Sequence, residues 1–235
     1  MSITGRAKPW EFRWRIVIMF SSLPLAAILF IKTGLITGTW YAPQSDNWQR
    51  ITAALIASLG VLLRVWGTSA LSAPRMLRLQ AQGETLVESG PFAMVRNPLY
   101  LGTILVIGAW SVLYGWLPAL FFTAFHAFRF NRIVLYEESI FESELGSRFD
   151  EYRTRVPRWI PDWSGMTKTG WPHFSLSAVL SNGPFLAMTI ALWAITYTSE
   201  TSIFFPTTLA GLLVCGVFLM TRRLAQKNPS GPDES

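Results

Sequence analysis

One cysteine and two histidines are all the thiol and imidazole groups in this 235-residue chain. A single thiol, Cys215, forms no internal disulfide and no multi-cysteine metal site, and its place in an apolar run suits a small packing residue. His126 and His173 lie too far apart in sequence for a spaced metal motif. Charge is scarce too: 14% of residues are Asp, Glu, Lys or Arg, against about 25% in a soluble domain. With 51% hydrophobic residues and a mean hydropathy of +0.33, that deficit points to a membrane bundle. The net charge of +6 and pI near 9.8 could suggest nucleic acid. The basic residues instead flank apolar segments, and no basic stretch is interleaved with aromatics or glycines, which argues against a nucleic-acid partner. The first apolar run is interrupted by Pro24 but continues to Ile36 without a small-residue cleavage motif, so no cleaved leader is expected.

Six stretches read as membrane helices under the hydrocarbon-thickness rule: Ile16–Ile36, Ile51–Leu71, Leu99–Leu113, Leu117–Leu135, Leu176–Tyr197 and Ile203–Met220. The third and fourth meet through Tyr114, Gly115 and Trp116, with Pro118 early in the next helix, a tight helical hairpin. Arg6, Lys8, Arg13 and Arg15 precede the first span, Arg75, Arg78 and Arg96 follow the second, and Arg148, Arg153, Arg155, Arg158 and Lys168 follow the fourth. Arg222, Arg223 and Lys227 follow the sixth, and only Lys32 and Arg50 fall on the other side. The positive-inside rule then predicts an inner-membrane, multi-pass protein with both termini and both long loops in the cytoplasm. Trp40, Tyr41, Trp48, Tyr114, Trp116 and Tyr197 gather at the outer ends as an aromatic belt. The expected fold is all-α, a polytopic transmembrane bundle of about six spans with a cytosolic cofactor-binding region. Its parts are a cytosolic segment 1–15, two helices in 16–71, a core 72–170 containing the hairpin 99–135, two further helices in 171–222, and a disordered Pro/Gly/Ser-rich tail 223–235.

Chemistry belongs on the inner side, where the two long connections lie. In Glu84–Gly102, Gly83 and Gly90-Pro91 bracket Leu86-Val87, offering backbone polar groups beside an apolar wall that suits an adenine ring. Pro98 starts the next helix, and its N-terminal amides with Arg96 suit an anionic group such as an amino-acid carboxylate. Tyr100 can hydrogen-bond from the first turn, and Gly102 allows close approach. The same residues also fit an ordinary inside loop entering a Pro-started helix. In the second connection, Arg129, Asn131 and Arg132 end the fourth span, followed by Glu137-Glu138. Charges at this depth face a polar cavity or one another, or snorkel to the headgroups. The glutamate pair also fits a solvated helix end. Phe141, Leu145, Phe149 and Tyr152 recur at helical spacing, which predicts one amphipathic interfacial helix. Arg64 is a further intramembrane charge, with Glu137 or Glu138 as a conceivable partner.

Gly90-Pro91-Phe92, then Arg96-Asn97-Pro98-Leu99-Tyr100-Leu101-Gly102, then Glu137-Glu138, then Tyr152 and Val156-Pro157-Arg158-Trp159-Ile160-Pro161 resemble the signature of the isoprenylcysteine carboxyl methyltransferases and the related phospholipid methyltransferases. The resemblance runs in order over Leu86–Pro161. It implies S-adenosylmethionine as cofactor, held between the two cytosolic segments, and a lipid or hydrophobic acceptor drawn from the bilayer. Leu86 and Val87 would line the adenine through their backbone. Arg96, Asn97 and Tyr100 would handle the methionine end, and Glu137 and Glu138 the ribose or amino group. Gly90, Gly102, Tyr152 and Arg158 complete the implied cofactor set, and Arg132 and Glu138 stand nearest the acceptor as the implied catalytic pair. Asn97 replaces the family's usual His, and Phe149 stands where Tyr is common; an amide hydrogen-bonds but does not titrate. A non-catalytic protein of the same fold and a nicotinamide-dependent membrane reductase are the alternative readings.

Overall fold

A computed structural model describes residues 5–15, 17–19, 21, 46–71, 86–113, 115–168 and 174–198. The first span beyond residue 21, the sixth span Ile203–Met220, Cys215, His173 and the tail lie outside the described residues. The described chain is helical, with no strand among the described residues. In order, α1 is Pro9–Arg13, α2 Asn47–Leu71, α3 Pro98–Val112, α4 Trp116–Leu145, α5 Ser147–Arg155, α6 Leu176–Ser181 and α7 Gly183–Thr198. Short 3-10 turns occupy Gly90–Ala93 and Trp163–Lys168.

Helix α2 has 25 residues, contains no proline, and among the described helices is the one long and apolar enough to cross a membrane. The shorter helices α3 and α7 are also apolar. Proline opens α3 at its first turn, where no intrahelical acceptor is lost. Gly115, at φ 104°, turns the chain between α3 and α4, a conformation open to glycine and strained for other residues. Helix α2 packs along α3, α3 along α4, and α7 against α2 and α3.

The α2–α3 contact is made backbone to backbone. A Cβ on Gly60 would meet the Gly102 carbonyl oxygen at 2.7 Å, and one on Gly102 would meet the Gly60 oxygen at 2.5 Å and Arg64 Cγ at 2.6 Å. Gly67, two turns further along α2, lies against Leu99. Such small-residue seams let helices associate where lipid offers no hydrophobic drive between them. Trp193 Nε1 donates to Ser58 Oγ at 3.0 Å and Trp110 Nε1 to the Met188 carbonyl at 3.0 Å, so polar pins complement the seam.

Three expectations are corrected. The fifth span is two helices, broken at Asn182, because Pro184 cannot donate to a carbonyl four residues back and the Asn182 side chain turns inward. The amphipathic stretch Phe141–Tyr152 is likewise two helices, broken at Gly146 with φ 53°. Its apolar positions nevertheless converge: Phe149, Tyr152 and Val156 form one buried cluster with Phe141, Leu145 and Leu86 packed on it. Finally, among the described residues Arg64 forms no ion pair with a glutamate of α4 and is held by neutral groups. Its Nε donates to Asn182 Oδ1 at 2.9 Å, its Nη1 to the Leu99 carbonyl at 2.9 Å and to Thr103 Oγ1, and its guanidinium lies 3.8 Å from the Phe185 ring centroid. Asn182 in turn donates to Thr68 Oγ1 at 3.0 Å. Neutral oxygens and a ring face can satisfy a guanidinium, so a search restricted to carboxylates misses the partner.

Gly102→Ala should lower stability by about 1–3 kcal/mol through overpacking. Thermal unfolding in detergent reads this, with Gly5→Ala as the control, since a Cβ there meets nothing within 4 Å.

Candidate functional site

The two connections expected to cooperate are stitched together by main-chain hydrogen bonds. Arg96 N donates to the Pro157 carbonyl at 2.9 Å, and Asp162 N donates to the Met94 carbonyl at 2.9 Å. Gly165 is pressed on the same strand of chain, where a Cβ would meet the Ala93 oxygen at 2.3 Å. The Tyr152 hydroxyl donates to the Phe92 carbonyl at 2.8 Å, and burial pushes its ionisation upward, so it stays a donor at ordinary pH.

At the centre lies Glu138, two turns before the end of α4. Arg96 Nε donates to its Oε1 at 3.1 Å; Arg158 Nε donates to the same oxygen at 3.1 Å, and Arg158 Nη2 to Oε2 at 2.6 Å. The Glu138 and Arg96 side chains are only 10% and 11% exposed, and Arg158 is 30% exposed. Arg96 Nη1 reaches further, to the Arg153 carbonyl at 2.7 Å and the Val156 carbonyl at 3.0 Å. Asn97 Nδ2 donates to the Arg158 carbonyl at 3.3 Å, and its Oδ1 meets no donor among the described residues. The neighbouring carboxylate behaves differently. Glu137 Oε1 accepts from the Tyr100 hydroxyl at 3.0 Å, and its other oxygen meets no donor among the described residues. Desolvation pushes the Glu137 carboxyl up to about 7, against the opposing pull of Arg15 and of the Tyr100 hydroxyl. Two adjacent glutamates thus have two environments, one clamped between guanidiniums and one protonatable near neutrality.

The expected site residues separate into three groups. Arg96, Asn97, Tyr100, Glu137, Glu138 and Arg158 come together around the inner end of α4. Leu86, Tyr152 and Gly90 belong to the adjoining wall: Leu86 packs on the Tyr152 cluster, and Gly90, at φ 60°, sits against Trp66 and Ala70 of α2. Neither Leu86 nor Val87 makes a main-chain hydrogen bond among the described residues. Gly102 is engaged with Gly60, as above, so its bare Cα serves helix packing. Arg132 stands apart from Glu138. Its Nη2 donates to Glu11 Oε1 at 2.8 Å and its Nε to Glu11 Oε2 at 3.4 Å, while its carbonyl accepts from Ala7 N at 3.0 Å. That bond to Arg132 holds the Glu11 carboxyl below its usual range. Glu11 was legible only as the one acid among the basic residues of the N-terminal segment. Asn131, another α4 residue, accepts from Trp159 Nε1 at 3.1 Å, a second tie between α4 and the segment after α5.

Residues 48–148 match the family model described as phospholipid methyltransferase. Over that stretch the chain is similar to the phospholipid methyltransferases. No curated protein and no solved structure matches the chain. The matched stretch takes in most of α2, all of α3 and α4, and Arg96, Asn97, Tyr100, Glu137 and Glu138; Tyr152 and Arg158 lie just beyond it yet adjoin the same cluster.

Glu138→Ala should destabilise the domain by about 3–5 kcal/mol, because it leaves two guanidiniums buried without their counter-charge. Chemical denaturation in detergent measures this, with Glu142→Ala, on an exposed pair, as the reference. A second expectation concerns pH. Glu137 is protonated in the fold below about 7 but ionised in the unfolded chain above its ordinary value of 4.5. The stability it contributes is therefore complete below that lower value and is lost as pH rises toward 7. Melting temperatures of wild type should fall across that window relative to Glu137→Gln, whose slope should be flatter.

Proposed function

We propose that the chain is an S-adenosylmethionine-dependent methyltransferase of the inner membrane, with six spans and both termini cytoplasmic, acting on a lipid-like acceptor. The observation that carries this reading is the pairing, within the stretch similar to the phospholipid methyltransferases, of a clamped Glu138 with a protonatable Glu137. The chemical groups left over fit the cofactor. The main chain of Leu86 and Val87, without a main-chain hydrogen bond among the described residues, suits an adenine edge. Glu137 Oε2 and Asn97 Oδ1 suit hydroxyl or ammonium donors. Arg158 keeps its Nη1 for a carboxylate. S-adenosylmethionine, when bound, supplies a methyl group activated by a sulfonium.

The residues of this chain then have distinct tasks. Arg96 and Arg158, locked on Glu138, fix the distance between the inner end of α4 and the segment after α5, so that the cofactor-holding groups are preorganised. Tyr152 and its aromatic neighbours exclude water from one side. A carboxylate or thiolate acceptor needs no base. An amine acceptor must lose a proton, and Glu137, with its carboxyl near 7, is the group suited to accept it. Transfer to an amine should therefore rise with pH through about 7 and lose that rise in Glu137→Gln.

Equilibrium titration of detergent-purified protein with labelled S-adenosylmethionine tests the reading. Saturable binding is expected, weakened about tenfold or more in Glu137→Gln by loss of a charged hydrogen-bond partner. Wild type that binds no cofactor would leave a non-catalytic protein of the same fold. A reporter fused after Lys227 should behave as cytoplasmic, and a periplasmic signal would overturn the orientation.

A further inference from the structure

The segment after α5 displays two large apolar side chains that neither the core nor the candidate site uses. Ile160 is 81% exposed and Trp163 67%. Helix α5, just before them, exposes charge instead, through Arg148, Asp150, Glu151, Arg153 and Arg155. The pair is held in place on both sides. Pro157 and Pro161 each fix a backbone angle. Asp162 N donates to the Met94 carbonyl at 2.9 Å, Ser164 N donates to Asp162 Oδ1 at 2.9 Å, and Gly165 is pressed against Ala93. Large apolar groups presented together by an anchored loop mark a contact.

The neighbouring Trp159 sets the height of that loop along α4. It packs against the main apolar cluster of the bundle, which includes Phe130 and Ile133, and its Nε1 donates to Asn131 Oδ1 at 3.1 Å. Arg158, one residue earlier, meets Glu138. Glu138 and Asn131 are about 10 Å apart along the helix axis, so the contacts climb α4 by that distance between Arg158 and Trp159. Asn131 stands only about 22 Å along α4 from Trp116, short of the roughly 30 Å of hydrocarbon in a bilayer. Any tilt of the helix brings it shallower still. Trp159 therefore meets α4 at a level where a span starting at Trp116 is still in lipid, and Ile160 follows directly.

We infer that Ile160 and Trp163 form a wedge set into the bilayer leaflet at the charged end of the bundle, so that the segment after α5 rests in lipid at the boundary of acyl chains and headgroups. A tryptophan, apolar in body with one N–H, suits that boundary, and an isoleucine suits the acyl side of it. The wedge begins two residues after Arg158, so lipid holds this segment to the bundle from outside while Asn131 and Glu138 hold it from within. The inference rests on the membrane reading above but not on the cofactor.

The test uses the full chain, with Cys215→Ser, reconstituted in phosphatidylcholine vesicles without any other protein. Nitroxide labels are placed singly through Ile160→Cys and Trp163→Cys. Leu120→Cys, on the exposed face of α4, is the hydrocarbon reference, and Ser147→Cys, exposed on α5, is the water reference. Collision with dissolved oxygen, which concentrates in lipid, is compared with collision with a water-soluble nickel chelate. The oxygen-to-nickel ratio at Ile160 and Trp163 should exceed that at Ser147 by about threefold or more and approach that at Leu120. A ratio at both positions equal to that at Ser147, with Leu120 still in lipid, overturns the wedge and leaves a water-facing surface for a protein partner. Leu120 as accessible to nickel as Ser147 overturns the membrane reading and the wedge together. A second measurement avoids labels and cysteine substitutions. The chain has 11 tryptophans, so the emission of Trp163 is taken as the difference between wild type and Trp163→Phe. That emission should be quenched by lipids brominated on the acyl chain and shielded from aqueous acrylamide; quenching by acrylamide alone overturns the proposal.

Discussion

Everything at the charged end of the molecule depends on one carboxylate between two guanidiniums. Glu138 comes from α4, Arg96 from the turn before α3, and Arg158 from the segment after α5. Three stretches that are distant in sequence are thereby held at hydrogen-bonding distance with little water present. A buried ionic triad is a poor source of net stability, because desolvation cancels much of the attraction. Its value is geometric. Arg96 carries the constraint onward through the carbonyls of Arg153 and Val156, and Asn97 repeats it through the carbonyl of Arg158. The two segments cannot separate without leaving several buried polar groups unmatched.

The arrangement also explains why adjacent glutamates serve different ends. On a helix, neighbouring residues point about 100° apart, so Glu137 and Glu138 face different partners although they share a backbone. One is surrounded by positive charge and is structural. The other faces a phenol and apolar surface, where the same carboxyl group is kept near its midpoint at neutral pH. The N-terminal segment adds a third charged layer through Glu11, Arg15 and Arg132, so the chain before the first span belongs to the same end of the bundle.

Much of this was legible in the sequence, and the remainder was hidden for physical reasons. Hydropathy and the Gly115 turn place α2, α3 and the start of α4 within a few residues, and the ordered Arg-Asn-Pro, Glu-Glu and Val-Pro-Arg blocks bring the right segments together. What hydropathy averages away is a single polar residue in an apolar run, so the break at Asn182 passed as continuous helix. Periodicity likewise bridged Gly146, because a one-residue turn barely disturbs the repeat of Phe141, Leu145, Phe149 and Tyr152. The partner of Arg64 was missed because it is neutral. Gly102 was read as allowing close approach, and the neighbour that approaches is Gly60, a partner that sequence gives no way to name.

Helix α4 has a further property in its length. Its 30 residues extend about 45 Å, whereas the hydrocarbon of a bilayer is about 30 Å thick. A span beginning near Trp116 would run out of lipid well before Leu145, and the surplus turns would carry Glu137 and Glu138 clear of the acyl chains at headgroup height. Under the proposed topology the helix would act as a ruler, its apolar portion setting where Glu137 and Glu138 stand relative to the membrane surface. A thicker bilayer would then draw that end toward the hydrocarbon and a thinner one would lift it into water.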